Sequence, residues 1–181
     1  MTEKKNHSQL VLAISGVKNS GKTTLITRIL PELKKHGLQV AVIKHDGHDF
    51  EADIPGTDTW KMAEAGACGT LVFSEKKYML VKYVPAPSAE ILIQAFPEAD
   101  VILLEGFKHS KYPKLELIRK ENSCRPVCDP DSLCGIVTDM TREELQEQRK
   151  EAAWLSDIVL FDFEDIAKIT DWIYKRWKEQ K

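Results

Sequence analysis

Short, unbroken apolar runs punctuate the chain, and between them apolar residues return every three or four positions. Leu10-Val-Leu-Ala-Ile14, Val40–Ile43 and Val101-Ile-Leu-Leu104 are continuous rather than alternating, the pattern of strands buried on both faces. After the first run, Lys22–His36 carries Leu25, Ile26, Ile29, Leu30 and Leu33 on one side. Gly37 stops it, so a helix is expected. Strand, helix and strand in this order predict a βαβ unit with a parallel pair and a right-handed crossover. The segment Lys44–Thr59 is polar, holds Gly47, Pro55 and Gly56, and has no period. It is long for a connection inside a compact domain, and such loops are usually functional or disordered.

Further along, Trp60–Ala65 predicts a short helix ended by Gly66. Thr70–Ser74 and Tyr78–Val84 flank Glu75-Lys-Lys77 and predict a β-hairpin. Ser88 is placed to cap a helix running to Phe96. Leu115–Ile118, Cys134–Val137 and Ile158–Phe161 are further strand candidates. Thr141-Arg-Glu-Glu144 has the form of a capping box, opening a helix to about Trp154. Ile166, Ile169, Ile173 and Trp177 fall on one face of a C-terminal helix. The alternation predicts an α/β fold of P-loop NTPase type: a mostly parallel sheet flanked by helices, with a small hairpin insertion. With no repeat or low-complexity linker, residues 10–181 read as a single nucleotide-binding domain behind a frayed polar tail, 1–9.

Composition narrows this only a little. The 181 residues are 43% hydrophobic and 30% charged, which is globular. The formal net charge of -2 gives no global field toward nucleic acid or an anionic membrane. No run approaches the ~20 apolar residues needed to span a bilayer. The N-terminus lacks the pattern of a secretory signal, so a cytoplasmic protein is expected. Cys124, Cys128 and Cys134 lie close in sequence, but their spacing does not match paired zinc knuckles, and reduced thiols are the expectation.

The chemistry enters with Gly16-Val-Lys-Asn-Ser-Gly21-Lys22-Thr23, which fits G-x-x-x-x-G-K-[ST] between a buried strand and a helix. Glycines at 16 and 21 let the backbone approach phosphate. Lys18, Asn19, Ser20, Gly21 and their neighbours then turn successive amides into one concavity, and the helix dipole adds positive potential. Lys22 is expected on the β- and γ-phosphates, the Thr23 hydroxyl on Mg²⁺, and Thr24 at the α-phosphate. Such loops also need an acid at the tip of a buried strand, close to Mg²⁺. Glu105, directly after Val101–Leu104, is that candidate. Asp53-Ile-Pro-Gly56 has the D-x-x-G form of a switch segment and makes Asp53 a second catalytic candidate. His45 and His48 leave the carboxyl end of the second strand, the edge where open α/β sheets bind ligands. Lys108, Lys111 and Lys114, after Glu105, either meet an anionic substrate or are solvated. No N-K-x-D is present; Thr138-Asp139 either meets a guanine edge or merely precedes the Thr141 cap.

Taken together, these segments resemble the MobB family, the molybdopterin-guanine dinucleotide biosynthesis protein B. The resemblance is carried by Gly16–Leu25, Lys44–Phe50, Asp53–Trp60, Glu64-Ala-Gly-Ala67, Leu104-Glu-Gly-Phe-Lys108 and Pro113-Lys-Leu-Glu116. It implies GTP binding with Mg²⁺, weak hydrolysis, and assistance to the enzyme that attaches GMP to molybdopterin. It also implies a homodimer that pairs with a MobA-type guanylyltransferase, with direct contact to molybdopterin left open. Two other classes stay beside it. A small-molecule kinase needs arginines near the transferring group, and here only Arg119 and Arg125 fall outside predicted helices. A nucleotide-gated binding module needs no catalytic base, and none is obvious here, with His45, His48 and Asp53 as the candidates.

Overall fold

The computed structural model describes residues 8–122, 125–147 and 158–180. They fall into two compact units, one running to His45 and resuming at Leu92, the other covering Asp46–Ile91.

The first unit is built on a six-stranded sheet in the order β2-β5-β1-β6-β7-β8. Its strands are β1 Leu10–Gly16, β2 Val40–Lys44, β5 Val101–Glu105, β6 Lys114–Ile118, β7 Leu133–Thr138 and β8 Val159–Asp162. Every pairing among them is parallel, so the strand ends that carry function lie along one edge. The continuous apolar runs are explained by this: β1 and β5 are central and covered on both faces. One face packs against helices α1 Lys22–Lys35 and α5 Ile166–Glu179. Leu10, Leu12 and Ile14 of β1, Val101 and Leu103 of β5, and Leu115 and Leu117 of β6 meet Leu25, Ile29, Leu33, Ile169 and Ile173 there. The opposite face carries Ala13, Ile43, Ile102 and Leu104, covered by Leu92, Ile93 and Phe96, and a separate cluster of Ile118, Ile136, Met140 and Leu145.

Period-two alternation decides what each strand tip presents. Glu105 follows Val101 and Leu103 onto the α1 face. Ser15, Lys114 and Glu116 fall on the other. The predicted capping box forms: the Thr141 hydroxyl accepts from the Glu144 amide at 3.2 Å, and the Glu144 carboxylate accepts from the Thr141 amide at 2.9 Å. It opens α4, Arg142–Glu147; the rest of the expected helix to Trp154 lies outside the described residues, as do most of the 1–9 tail and Cys124.

The second unit holds α2 Asp58–Glu64 and the antiparallel hairpin of β3 Gly69–Phe73 and β4 Tyr78–Lys82. The chain then passes through α3, Ala89–Ile93, back into the first unit. Of the residues in Asp46–Ile91, Thr70 alone is buried. Phe73 and Tyr78 are 77% and 71% exposed, and Leu71, Leu80, Tyr83 and Val84 are open as well. Among the described residues no helix is long and apolar enough to cross a membrane.

Candidate functional site at the end of β1

The loop from Gly16 to Gly21 joins the carboxyl end of β1 to α1, and its backbone takes three turns into positive φ: Gly16 at 139°, Asn19 at 62° and Gly21 at 93°. At Gly16 the reason for glycine is packing as well as torsion. A Cβ there would stand 2.7 Å from the Leu117 carbonyl oxygen on β6. Gly21 is the residue before the first turn of α1, and no side chain caps that turn. By contrast, α2 is capped by the Thr57 hydroxyl and α5 by the Asp165 carboxylate. The first amides of α1 therefore point outward with the helix dipole behind them and no acid in the turn. Ser20 is buried, and its hydroxyl has no hydrogen-bond partner, an orphan that an incoming oxygen atom can satisfy.

Lys22 folds back over this loop, its Nζ donating to the Val17 carbonyl at 2.7 Å and more weakly to that of Gly16 at 3.4 Å. Partial burial lowers its pKa, the Glu105 carboxylate opposes that, and Lys108 and Lys44 add to it. Three ammonium groups and one carboxylate thus share the mouth of the loop. Glu105 is itself 93% buried, and its Oε1 accepts from the Thr23 hydroxyl at 2.7 Å. It is not the solvated strand-end acid that its position alone allows. A carboxylate and a hydroxyl held together beside an amide cradle form a hard-oxygen pair of the kind Mg²⁺ uses alongside phosphate oxygens. With the Ser20 orphan, these residues fit a Mg²⁺-bound polyphosphate. Just past Glu105 the chain turns sharply, with Gly106 at φ 97° and Phe107 at φ 48°. Non-glycine strain of that kind persists only where surroundings hold it. Here the Ser15 hydroxyl donates to the Gly106 carbonyl, the His45 amide donates to the Glu105 carbonyl at 3.1 Å, and the His45 ring meets Phe107 edge-on at 5.8 Å.

A glycine-formed loop of this kind occurs in many proteins, so its neighbours along the chain decide the family. The model of the family described as Molybdopterin guanine dinucleotide synthesis protein B matches residues 11–139, from β1 past β7. The chain belongs to the MobB family. Two relatives, both called molybdopterin-guanine dinucleotide biosynthesis adapter protein, align along nearly their whole length. The one from Haemophilus influenzae is 32% identical, covering 93% of this chain and 89% of its own. The one from Escherichia coli K12 is 30% identical, covering 94% of each. The crystal structure of Bacillus subtilis MobB is 26% identical with a TM-score of 0.70, covering 92% of this chain and 96% of that one.

Of the candidates named from sequence, Gly16, Lys18, Asn19, Ser20, Gly21, Lys22, Thr23, Thr24, His45 and Glu105 fall within the first unit of this MobB-family chain. His48 and Asp53 belong to the second. Within that unit Asp53 orders its own turn: its Oδ1 accepts from the Ile54 amide at 2.8 Å and the Thr57 hydroxyl at 3.1 Å. Together with the Thr59 hydroxyl, which has the largest effect, these bonds hold its carboxyl below the usual range. Among the described residues no group of three or more His, Cys, Asp or Glu is placed to hold a metal by itself.

Lys114 proves to be neither a substrate ligand nor solvated. It lies fully buried on β6, its Nζ donating to the Ser110 carbonyl and, at 3.0 Å, to the Ser132 hydroxyl. β6 is buried along its whole length on both faces, which leaves no solvent for its side chains, so a charged residue there must find partners. Glu116 behaves likewise, accepting from the Val127 amide at 2.6 Å and so tying down the segment after β6. Burial, with Glu116 beside it, pushes the Cys128 thiol up to about 12.

Sequence reasoning passed over what that segment does. Arg119, the first residue past β6, donates from Nε to Asp139 Oδ2 at 2.9 Å, and its guanidinium lies 4.2 Å from the centre of the Phe163 ring. Asp139 Oδ1 accepts from the Lys120 amide, also at 2.9 Å. Burial works against the Asp139 carboxylate, but the Lys120 amide and Arg119 hold its pKa below the usual range. Asn122 donates to the Lys18 carbonyl of the phosphate loop at 2.9 Å. The usable signal was parity: Arg119, Asp139 and Phe163 continue the α1-facing positions of β6, β7 and β8 past their ends.

Proposed function

We propose that this protein is a GTP-binding adapter of molybdenum cofactor biosynthesis, assisting the formation of molybdopterin guanine dinucleotide. The observation that carries the proposal is the uncapped start of α1, with the Thr23 hydroxyl held 2.7 Å from a buried Glu105 at its mouth. The amides of residues 16–24, among them those of Lys18, Asn19, Gly21 and Thr24, take the phosphate oxygens, and Ser20 adds its hydroxyl. Lys22 turns from its own loop carbonyls to the β- and γ-phosphates. Thr23 and Glu105 hold Mg²⁺, which when bound neutralises charge on the terminal phosphates. Lys44 and Lys108 add positive charge on that side. His45, directly after β2 in the first unit, is a nucleotide contact. Among the described residues of the cradle none is placed as a strong base for water, which suits a slow GTPase in which nucleotide state sets partner affinity.

The names of both relatives support the adapter role. In this reading the chain is cytoplasmic, forms one P-loop domain over residues 10–181 with 46–91 inserted, and works with a MobA-type guanylyltransferase and its molybdopterin substrate. It acts as a homodimer. A two-stranded hairpin is marginal alone in water, and the apolar side chains of β3 and β4 are suited to cover by a second copy.

The test is a reconstituted reaction of a MobA-type guanylyltransferase with molybdopterin and limiting GTP. Wild-type protein is expected to raise the yield of the dinucleotide, and Lys22→Ala is not. Equal stimulation by both would remove nucleotide binding from the adapter role.

A further inference from the structure

The loop has two flanks, and they differ. On the β5 flank of β1 stand Glu105, Lys44 and Lys108, the groups suited to terminal phosphates and Mg²⁺. On the opposite flank the strand order places β6, β7 and β8, and their first residues past the α1-facing positions are Arg119, Asp139 and Phe163. A polyphosphate lying along the loop with its metal end at Glu105 leaves the second flank for its nucleoside. The first side chain there is Arg119. Its Nη1 lies 3.8 Å from where a Cβ on Gly21 would stand, at the start of α1.

We propose that the guanidinium of Arg119 is the shelf on which the base of the bound nucleotide stacks. This rests on the nucleotide-binding reading above and adds how the base is held. The plane is fixed from three sides. Phe163 backs it at 4.2 Å, Asp139 takes Nε at 2.9 Å, and Asn122 ties the same segment to Lys18 of the phosphate loop. Phe163 is itself buried against the α1 face, with Arg28 lying 5.7 Å from its ring and pairing with Glu164 at 2.8 Å. Arg119 nevertheless keeps 32% of its side chain exposed, which leaves surface for a second flat partner. A planar, delocalised cation is well matched to an aromatic face, more so than an ammonium.

Asp139 is assigned to positioning Arg119, since its two carboxylate oxygens accept from Arg119 Nε and from the Lys120 amide. Stacking of this kind tolerates any base, since every base has a π-face. The shelf holds GTP and ATP alike, and discrimination between them lies elsewhere.

The experiment is calorimetric titration with Mg·GTP, Mg·ATP and inorganic tripolyphosphate. Arg119→Ala is expected to weaken both nucleotides about tenfold, the range of one lost stack, and to leave tripolyphosphate unchanged. Arg119→Lys keeps the charge without the plane and is expected to behave the same way, which covers the case in which the alanine variant does not fold. Asp139→Asn is expected to give a smaller loss on the nucleotides, also without effect on tripolyphosphate. Equal weakening of tripolyphosphate and nucleotides would make Arg119 a charge contact and overturn the shelf, as would unchanged nucleotide affinity in Arg119→Lys. Wild-type protein that binds tripolyphosphate but neither nucleotide would also overturn the shelf. Wild-type protein that binds none of the three would overturn the nucleotide reading itself.

Discussion

The loop between β1 and α1 and the hairpin of β3 and β4 bury opposite things. Around the loop, polar groups are taken out of water: Ser15, Ser20 and Glu105 are all buried, and the Ser20 hydroxyl is left without a partner. In the hairpin, apolar groups are left in water, with Phe73 and Tyr78 more than two-thirds exposed and Thr70 the one buried residue of its unit. Either condition alone is unfavourable: an unpaired buried polar atom costs free energy, and so does an open aromatic surface. Such features are retained where something else completes them. In the proposed reading a small anion with its metal completes the loop, and a second copy covers the hairpin.

The comparison can be broken most severely at Gly16. Replacing it with alanine places a Cβ 2.7 Å from the Leu117 carbonyl at a φ of 139°. Destabilisation of about 3 kcal/mol is expected, read as a fall in the denaturation midpoint; an unchanged midpoint would show that the loop adapts. On the hairpin side, Phe73→Ser with Tyr78→Ser is expected to raise the dimer dissociation constant at least ~100-fold, from roughly 1.5–3 kcal/mol of lost burial per aromatic. Sedimentation would read it, and GTP affinity is expected to stay constant. Dimers persisting at equal strength would remove the hairpin from the interface. Back at the loop, Glu105→Gln is expected to weaken Mg²⁺-dependent GTP binding about tenfold, the loss of one charged oxygen contact. Binding without Mg²⁺ should hold; equal loss in both conditions would end the metal-side role. The smallest effect is a control at a residue that belongs to neither the loop nor the hairpin. Thr141→Ala removes half of the α4 capping box and is expected to cost about 1 kcal/mol by chemical denaturation, with binding and assembly unaffected.

Legibility in the sequence followed the same divide. Central strands announce themselves because both faces are apolar, so β1 and β5 could be placed from their runs alone, and the edge strand β2 carries a similar run. The phosphate loop and Glu105 were readable because each directly follows such a run. Lys114 and Glu116 were not, since a charged residue in a short segment reads as surface until its strand is known to be central. Arg119, Asp139 and Phe163 are scattered over 45 positions of chain and carry no motif. Only the order β1-β6-β7-β8 brings their strand ends into succession, and parallel order is not written in local pattern. The hairpin was legible as an element. Its exposure was not, because alternation predicts which side chains share a face and says nothing about whether that face is covered.

The central claim is that the amides at the start of α1, closed by Lys22 on one side and the Thr23–Glu105 pair on the other, hold a nucleoside triphosphate. Equilibrium binding of fluorescent GTP to wild-type protein and to Lys22→Ala, with and without Mg²⁺, addresses it directly. The account predicts saturable binding by wild type that Mg²⁺ strengthens. It predicts a loss of about 100-fold or more in the variant, as expected for charge-assisted bonds to phosphate, with the far-UV helical signal unchanged. Wild-type protein that fails to bind at high concentration with Mg²⁺ present, or a variant that binds as tightly as wild type, would contradict it.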